Sequence, residues 1–286
     1  MFNILFIGIG NMGFPMAGYL SQKHKVTIFN RSKEKQKRWI TEYNGEILDD
    51  LKSINKDYDF IISCVGNDSD LEEIINHSFD NLQKESVFID HSTVSPETVI
   101  KLSKRLNSKS VYLLDAPVSG GQAGAENGAL SIMVGGDLDA FKKSKPVMDL
   151  YGKKVEYMGD TGSGQQTKII NQICIGGLIQ SLSEAIYFMK HTNLDPSKVL
   201  DVISSGAAQS WQMENRFKTM TEDKFDFGFA VDLMRKDLSI AFRESEKYGI
   251  DLEITKIIDT FYEDLQKQGH NNLDTSSLIK RLFKSV

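Results

Sequence analysis

Short apolar runs alternate with longer polar stretches through the first half of the chain. The runs lie at residues 3–8, 26–30, 60–65, 87–90, 111–116, 130–135 and 155–157. Each has strand length, and the segments between them are long enough for helices. That alternation predicts βαβ units around a mostly parallel sheet. Residues 11–21 have helical length and follow the first run directly. After Gly164 the pattern changes. The stretch QQTKIINQICIGGLIQSLSEAIYFMKH, residues 165–191, is apolar over most of a helix circumference, which predicts a long helix buried against several partners. Only helical patterns follow it. Asp195-Pro196 marks a helix start, and Gly206, Gly249 and Gly269 mark stops. The expected architecture is an α/β domain over residues 1–161 and an all-α domain over 162–286, which begins with the long helix.

Composition narrows the class. A chain of 286 residues is long for a single core, and 40% hydrophobic with 26% charged residues is a globular balance. A net charge of −5 gives no global attraction to nucleic acid or to an anionic membrane, so neither is an expected partner. No uninterrupted apolar run reaches the ~18 residues of a membrane span, and the N-terminus opens into strand pattern without a basic leader. Cys64 and Cys174 lie in apolar segments without metal-ligand or disulfide spacing, which fits a reducing cytoplasm. His24, His77, His91, His191 and His270 are scattered, and no metal is expected.

The first run leads into Gly8-Ile9-Gly10-Asn11-Met12-Gly13. Between a strand and a helix, this spacing predicts a dinucleotide site. Gly8 allows the tight turn, Gly10 lets a pyrophosphate approach the backbone, and Gly13 permits close helix–strand packing. Gly8, Gly10, Asn11, Met12 and Gly13 are therefore expected to bind the cofactor. In such sites an acidic residue about 20 positions on holds the ribose hydroxyls. Here the second run ends in Asn30-Arg31-Ser32 instead. A carboxylate would repel a 2′-phosphate, whereas Arg31 offers it a planar fork, Asn30 a neutral donor and Ser32 a hydroxyl. NADP is the expected cofactor and NAD the alternative, in which Arg31 merely starts a solvated helix. Ligands bind beyond the carboxyl ends of parallel strands, so Val65, Asn67 and Thr93 are expected along the nicotinamide. The competing reading makes Asn67 or Ser92 a helix cap.

Four further stretches sharpen the reading. They are Asp115-Ala116-Pro117-Val118-Ser119-Gly120-Gly121, then GALSIMVGG at 128–136, then Gly162-Ser163-Gly164 leading to Lys168-Ile169-Ile170-Asn171, and finally Lys236-Asp237-Leu238. The backbone N–H groups of the first can cradle an anion. In this order, the sequence closely resembles the β-hydroxyacid dehydrogenase family, from its first strand nearly to its C-terminus. That family includes 3-hydroxyisobutyrate dehydrogenases, tartronate semialdehyde reductases and glyoxylate/succinic semialdehyde reductases. The resemblance implies a Rossmann domain, an all-helical second domain and an active site in the cleft between them. It implies Lys168 as catalytic lysine, Ser119, Gly120 and Gly121 as ligands of the substrate carboxylate, Lys236 near cofactor and substrate, and Thr93 beside the nicotinamide.

Elementary chemistry agrees. Hydride addition to an aldehyde leaves charge on oxygen, which needs a positioned donor and a proton. A lysine in an apolar helix suits this, because desolvation lowers an ammonium pKa toward working pH. The expected activity is NADPH-dependent reduction of small semialdehydes or 2-oxo acids, such as succinic semialdehyde or glyoxylate. The alternatives are an NAD(P)-dependent 3-hydroxyisobutyrate dehydrogenase working oxidatively and a non-catalytic dinucleotide-binding module. One departure from the resemblance is Gln172, where the family usually has asparagine. Four residues after Lys168 it faces the same way, so it is expected to bind substrate with an amide one methylene longer. Trp211, Phe225, Phe227 and Phe229 are expected mainly in the core. The long apolar helix needs more burial than one small helical domain gives, so a homodimer or homotetramer is expected.

Overall fold

The computed structural model describes residues 1–54 and 57–283, so residues 284–286 of the expected helical domain lie outside it. Its contacts divide into two compact units, Met1–Lys168 and Ile169–Val286.

In chain order the first unit contains β1 (Asn3–Ile7), α1 (Gly13–Ser21), β2 (Lys25–Phe29), α2 (Lys33–Glu42), β3 (Glu46–Ile47), β4 (Phe60–Ser63), α3 (Asp68–Ser78), β5 (Val87–Asp90), α4 (Pro96–Asn107), β6 (Tyr112–Asp115), β7 (Val118–Ser119), α5 (Gly121–Glu126), β8 (Leu130–Gly135), α6 (Leu138–Met148) and β9 (Gly152–Gly159). The strands form one sheet in the order β3-β2-β1-β4-β5-β6-β8-β7, with β9 beside β8. Pairing is parallel from β3 to β6 and antiparallel where β8 meets β6 and β7.

β4 and β5 are buried at every position, which is why they read as continuous apolar runs rather than alternations. Successive side chains still go to opposite faces. Ile4 and Phe6 pack with Met16 and Leu20 of α1 and Val147 of α6. Leu5 and Ile7 join Leu71 and Ile75 of α3 and Val99 and Leu102 of α4. Helices on both faces of a parallel sheet make this a Rossmann-like domain, as expected. β3 and β7 were not expected. At two residues each, they are too short to carry a period.

The second unit is helical. It holds most of α7 (Ser163–Met189), then α8 (Pro196–Ser204), α9 (Trp211–Thr221), α10 (Val231–Lys247), α11 (Glu253–Lys267) and a 3₁₀ segment at Thr275–Phe283. Gly249 and Gly269 take φ of +65° and +79° just beyond α10 and α11, a left-handed stop that glycine adopts without strain. Ile179 packs with Leu238 and Tyr262, while Leu182 and Ile186 pack with Met213, Phe217 and Phe225. Phe225 is core beside Phe217, Phe229 is half-buried against the cluster of Ile179, Leu238 and Tyr262, and Trp211 is exposed.

α7 differs from expectation in one respect. Ile170, Leu178 and Phe188 are 63%, 41% and 72% exposed, and Cys174 is exposed with them. Its apolar circumference is therefore only partly covered within one chain. Among the described residues, α7 is also the helix long and apolar enough to cross a membrane by length and composition. Its buried side supplies core to the helical unit.

Candidate active site

The strand order β2-β1-β4-β5 brings the carboxyl ends carrying Asn30, Gly8, Val65 and Thr93 side by side. Gly8 has a φ of +92°, and a Cβ there would lie 2.3 Å from the Cys64 carbonyl oxygen. A Cβ on Gly13 would lie 2.1 Å from the Gly8 carbonyl oxygen. Both glycines are dictated by packing. Gly10 is different: a Cβ there would meet nothing within 4 Å, so its backbone is open to a ligand. No side chain caps α1 at Met12; the Phe14 N–H turns back to the Gly10 carbonyl at 2.9 Å and Pro15 has none, so the Gly13 N–H and the positive end of the helix dipole are what the turn offers an anion. These features fit the pyrophosphate of a dinucleotide.

Beyond β2, Asn30, Arg31 and Ser32 each have partners within the protein. Asn30 Oδ1 accepts from the Ile9 N–H at 3.1 Å, and its Nδ2 donates to the Ser32 carbonyl at 3.3 Å. Asn30 thus braces the glycine turn. Ser32 caps α2 through the Lys35 N–H. Arg31 is 76% exposed and pairs with Asp70 at 3.0 Å. Asn67 caps α3, accepting from the Asp70 N–H at 2.9 Å.

Beneath Thr93 lies a buried polar network. Asp90 and Asp115 are opposite each other in the β5–β6 register. Asp90 Oδ1 accepts from the hydroxyls of Ser63 and Ser92, each at 2.6 Å. Ser92 Oγ in turn accepts from the Val65 N–H at 2.9 Å. Asp115 accepts from the Gly162 N–H at 2.8 Å and the Gln165 N–H at 2.9 Å, so it anchors the start of α7. A Cβ on Gly164 would lie 2.4 Å from the backbone oxygens of Asp115 and Met133. The Gly162-Ser163-Gly164 spacing therefore seats α7 against the ends of β6 and β8.

Burial pushes the Asp90 carboxyl up to about 7, against the pull of the two serine hydroxyls. Burial likewise raises Asp115 to about 6, opposed by the Gly162 and Gln165 N–H groups. His91 is lowered to about 4 by burial. Its Nδ1 faces the Ala116 carbonyl at 2.6 Å and its Nε2 faces the Tyr151 hydroxyl at 2.9 Å, which assigns the proton to Nδ1.

Ser119 lies in β7, opposite Ser131. Gly120 and Gly121 follow with φ of +132° and +61°, conformations glycine takes freely. A Cβ on Gly121 would meet nothing within 4 Å. Lys168 is 6% exposed in the second turn of α7. In the helical unit, Gln172 Nε2 donates to Asp237 Oδ2 at 2.7 Å, and Gln172 Oε1 accepts from Asn171 Nδ2 at 2.7 Å. Lys236 Nζ lies 2.8 Å from Asp237 Oδ1. The longer amide of Gln172 is thus spent on protein partners.

Sequence reasoning assigned no role to Asp90, Asp115, Gln165 or Asp237. An acid closing an otherwise apolar strand, as in VFID and YLLD, is the signal that marks the first two.

Residues 3–159 match a family model described as the NAD binding domain of 6-phosphogluconate dehydrogenase. Residues 162–282 match one described as the NAD-binding domain of NADP-dependent 3-hydroxyisobutyrate dehydrogenase. An oxidoreductase of Shewanella frigidimarina is 46% identical over 100% of this chain and 99% of its own. The 2-hydroxy-3-oxopropionate reductase of Escherichia coli is 31% identical over 97% of this chain and 96% of its own. The 3-hydroxyisobutyrate dehydrogenase of Mycobacterium tuberculosis, solved with L-serine, superposes with a TM-score of 0.88 at 25% identity, covering 99% of both chains.

Proposed function

Because the chain belongs to the β-hydroxyacid dehydrogenase family, we propose that it reduces small carboxylate-bearing aldehydes or 2-oxo acids with NADPH, succinic semialdehyde and glyoxylate foremost. The chain is an NAD(P)-dependent oxidoreductase of hydroxy acids. When bound, the dinucleotide exchanges a hydride with the carbon that is carbonyl in one direction and carbinol in the other. The remaining work falls to side chains and backbone. The N–H groups of Asn11, Met12 and Gly13 hold the pyrophosphate, and Arg31 takes the 2′-phosphate by displacing Asp70. Val65 and Thr93 line the nicotinamide side. Ser119, Gly120 and Gly121 hold the substrate carboxylate and so fix the reacting carbon.

Lys168 donates a hydrogen bond to the carbonyl oxygen and passes it a proton as charge develops there. The observation that carries this reading is a lysine 6% exposed on a helix whose first turn is bound to the sheet through Asp115. Within the helical unit, Asp237 holds Gln172 and Lys236 together. A second reading, oxidation of a 3-hydroxy acid with neutral Lys168 as base, is favoured by the description of the family matched at 162–282. The exposed apolar face of α7 pairs with a second copy of the chain. Cys64 and Cys174, neither in a disulfide, suit a reducing cytoplasm.

The test is oxidation of NADPH and of NADH with succinic semialdehyde, glyoxylate, tartronate semialdehyde and methylmalonate semialdehyde. Turnover of the first two with NADPH preferred is expected. NADH preference, or turnover only of methylmalonate semialdehyde, would move the assignment to the second reading.

A further inference from the structure

We infer that Gln165 is a positioning residue that locks the Ser92-Thr93-Val94 loop to the turn of α7 carrying Lys168. The inference rests on the roles proposed above for Thr93 and Lys168. Gln165 is 1% exposed, and each of its polar groups is engaged. Its N–H donates to Asp115 Oδ2 at 2.9 Å. Its side-chain Nε2 donates to the Ser92 carbonyl at 2.8 Å, and its Oε1 accepts from the Val94 N–H at 3.2 Å. One amide therefore brackets Thr93 from both sides, as a neighbouring strand would.

The chemistry requires a carboxamide. One end must donate and the other accept, and both lie in a buried setting where an unpaired backbone group is costly. An apolar isostere strands the Ser92 carbonyl and the Val94 N–H. A carboxylate sets an oxygen against the Ser92 carbonyl. The next residue, Gln166, is exposed, so burial singles out position 165.

The lock reaches both ends of the proposed chemistry. On one side, the Ser92 hydroxyl binds Asp90 and receives the Val65 N–H. On the other, Lys168 follows Gln165 by three residues, which puts the two on neighbouring positions of one helix face. The loop cannot shift against Lys168 without breaking a buried hydrogen bond. A misplacement of about 1 Å between reacting groups costs on the order of a hundredfold in rate.

The test uses the full chain with Gln165→Met, Gln165→Glu and Lys168→Ala. Each is assayed for kcat, for NADPH Kd, for folding by circular dichroism, and for hydrogen exchange in peptides covering 91–96 and 163–170. Gln165→Met is expected to stay folded, to bind NADPH within about threefold of wild type, and to lose about ten- to hundredfold in kcat. Both peptides should exchange faster. Gln165→Glu should show the same defect near about pH 8 and recover as pH falls toward about 6, because a protonated carboxyl donates to the Ser92 carbonyl again. A merely structural role would not make the ratio of variant to wild-type kcat depend on pH in this way. Lost turnover in Lys168→Ala beside unchanged kcat in both Gln165 variants would overturn the inference alone, as would faster exchange confined to 91–96. Full turnover in Lys168→Ala would overturn the proposed function and the inference with it.

Discussion

Arg31, just past β2, and Asp70, in the first turn of α3, form an ion pair with Nη1 3.0 Å from Oδ1. The guanidinium proposed for the 2′-phosphate thus already has a carboxylate partner. With Arg31 76% exposed, such a pair is worth at most about 1 kcal/mol. A phosphate offers more charge and more acceptor oxygens, so it wins the competition. Arg31→Ala is expected to weaken NADPH binding by about tenfold or more, in line with a lost charge-assisted hydrogen bond, and to leave NADH nearly unchanged. Asp70→Asn should do the opposite, tightening NADPH by up to about fivefold at low salt. Fluorescence titration of both dinucleotides measures this. Equal losses for NADH and NADPH in Arg31→Ala would remove the phosphate role.

The glycine turn separates packing from binding. Gly8→Ala would drive a Cβ into the Cys64 carbonyl at a φ of +92°, and is expected to lower the melting temperature by several degrees or to prevent folding. Gly10→Ala meets only open space, so its melting temperature should match wild type while NADPH Kd rises about tenfold or more as the methyl obstructs the pyrophosphate. Melting curves with and without NADPH distinguish the two. Unimpaired NADPH binding by Gly10→Ala would place the pyrophosphate elsewhere.

Buried Asp90 makes stability depend on pH. Its carboxyl sits at about 7 in the fold against about 3.9 in an unfolded chain. Between those values the folded state keeps a proton that the unfolded state gives up. The contribution is full below about pH 4 and is lost as pH rises through about 7. Asp115, raised to about 6, acts in the same sense. His91, lowered to about 4, acts oppositely, with stability lost as pH falls from about 6.5. Asp90→Asn mimics the neutral carboxyl and isolates one group. Its melting temperature should rise relative to wild type as pH goes from about 5 to about 7.5. A difference that stays constant over that range would show that Asp90 does not titrate there.

The uncovered stripe on α7 predicts association. Light scattering should give a dimer or larger for the wild-type chain at micromolar concentration. Phe188→Glu, at a position 72% exposed, should weaken the assembly without unfolding the monomer. A wild-type monomer would contradict the pairing.

The fold was legible where burial imposes a local pattern. β1, β4 and β5 run through the sheet interior and are apolar but for Asn3 at the start of β1 and the closing Ser63 and Asp90. The glycine turn was equally legible, because its three constraints fall within six residues of sequence. The polar lock was not. Gln165 meets Ser92 across 73 residues, and no local spacing encodes such a contact. Asn30 was expected to face a ribose, and its amide braces Ile9 and Ser32, a duty that only the folded turn defines. The all-round apolar character of α7 announced burial, but not which stripe the single chain leaves uncovered.

The most direct test of the account is turnover by Lys168→Ala at saturating NADPH, with cofactor affinity measured on the same sample. Loss of a general acid costs about a hundred- to ten-thousandfold. A fall in kcat of that size, with NADPH Kd within about threefold of wild type, is the predicted result. Turnover within a few-fold of wild type would contradict it and remove Lys168 from the chemistry.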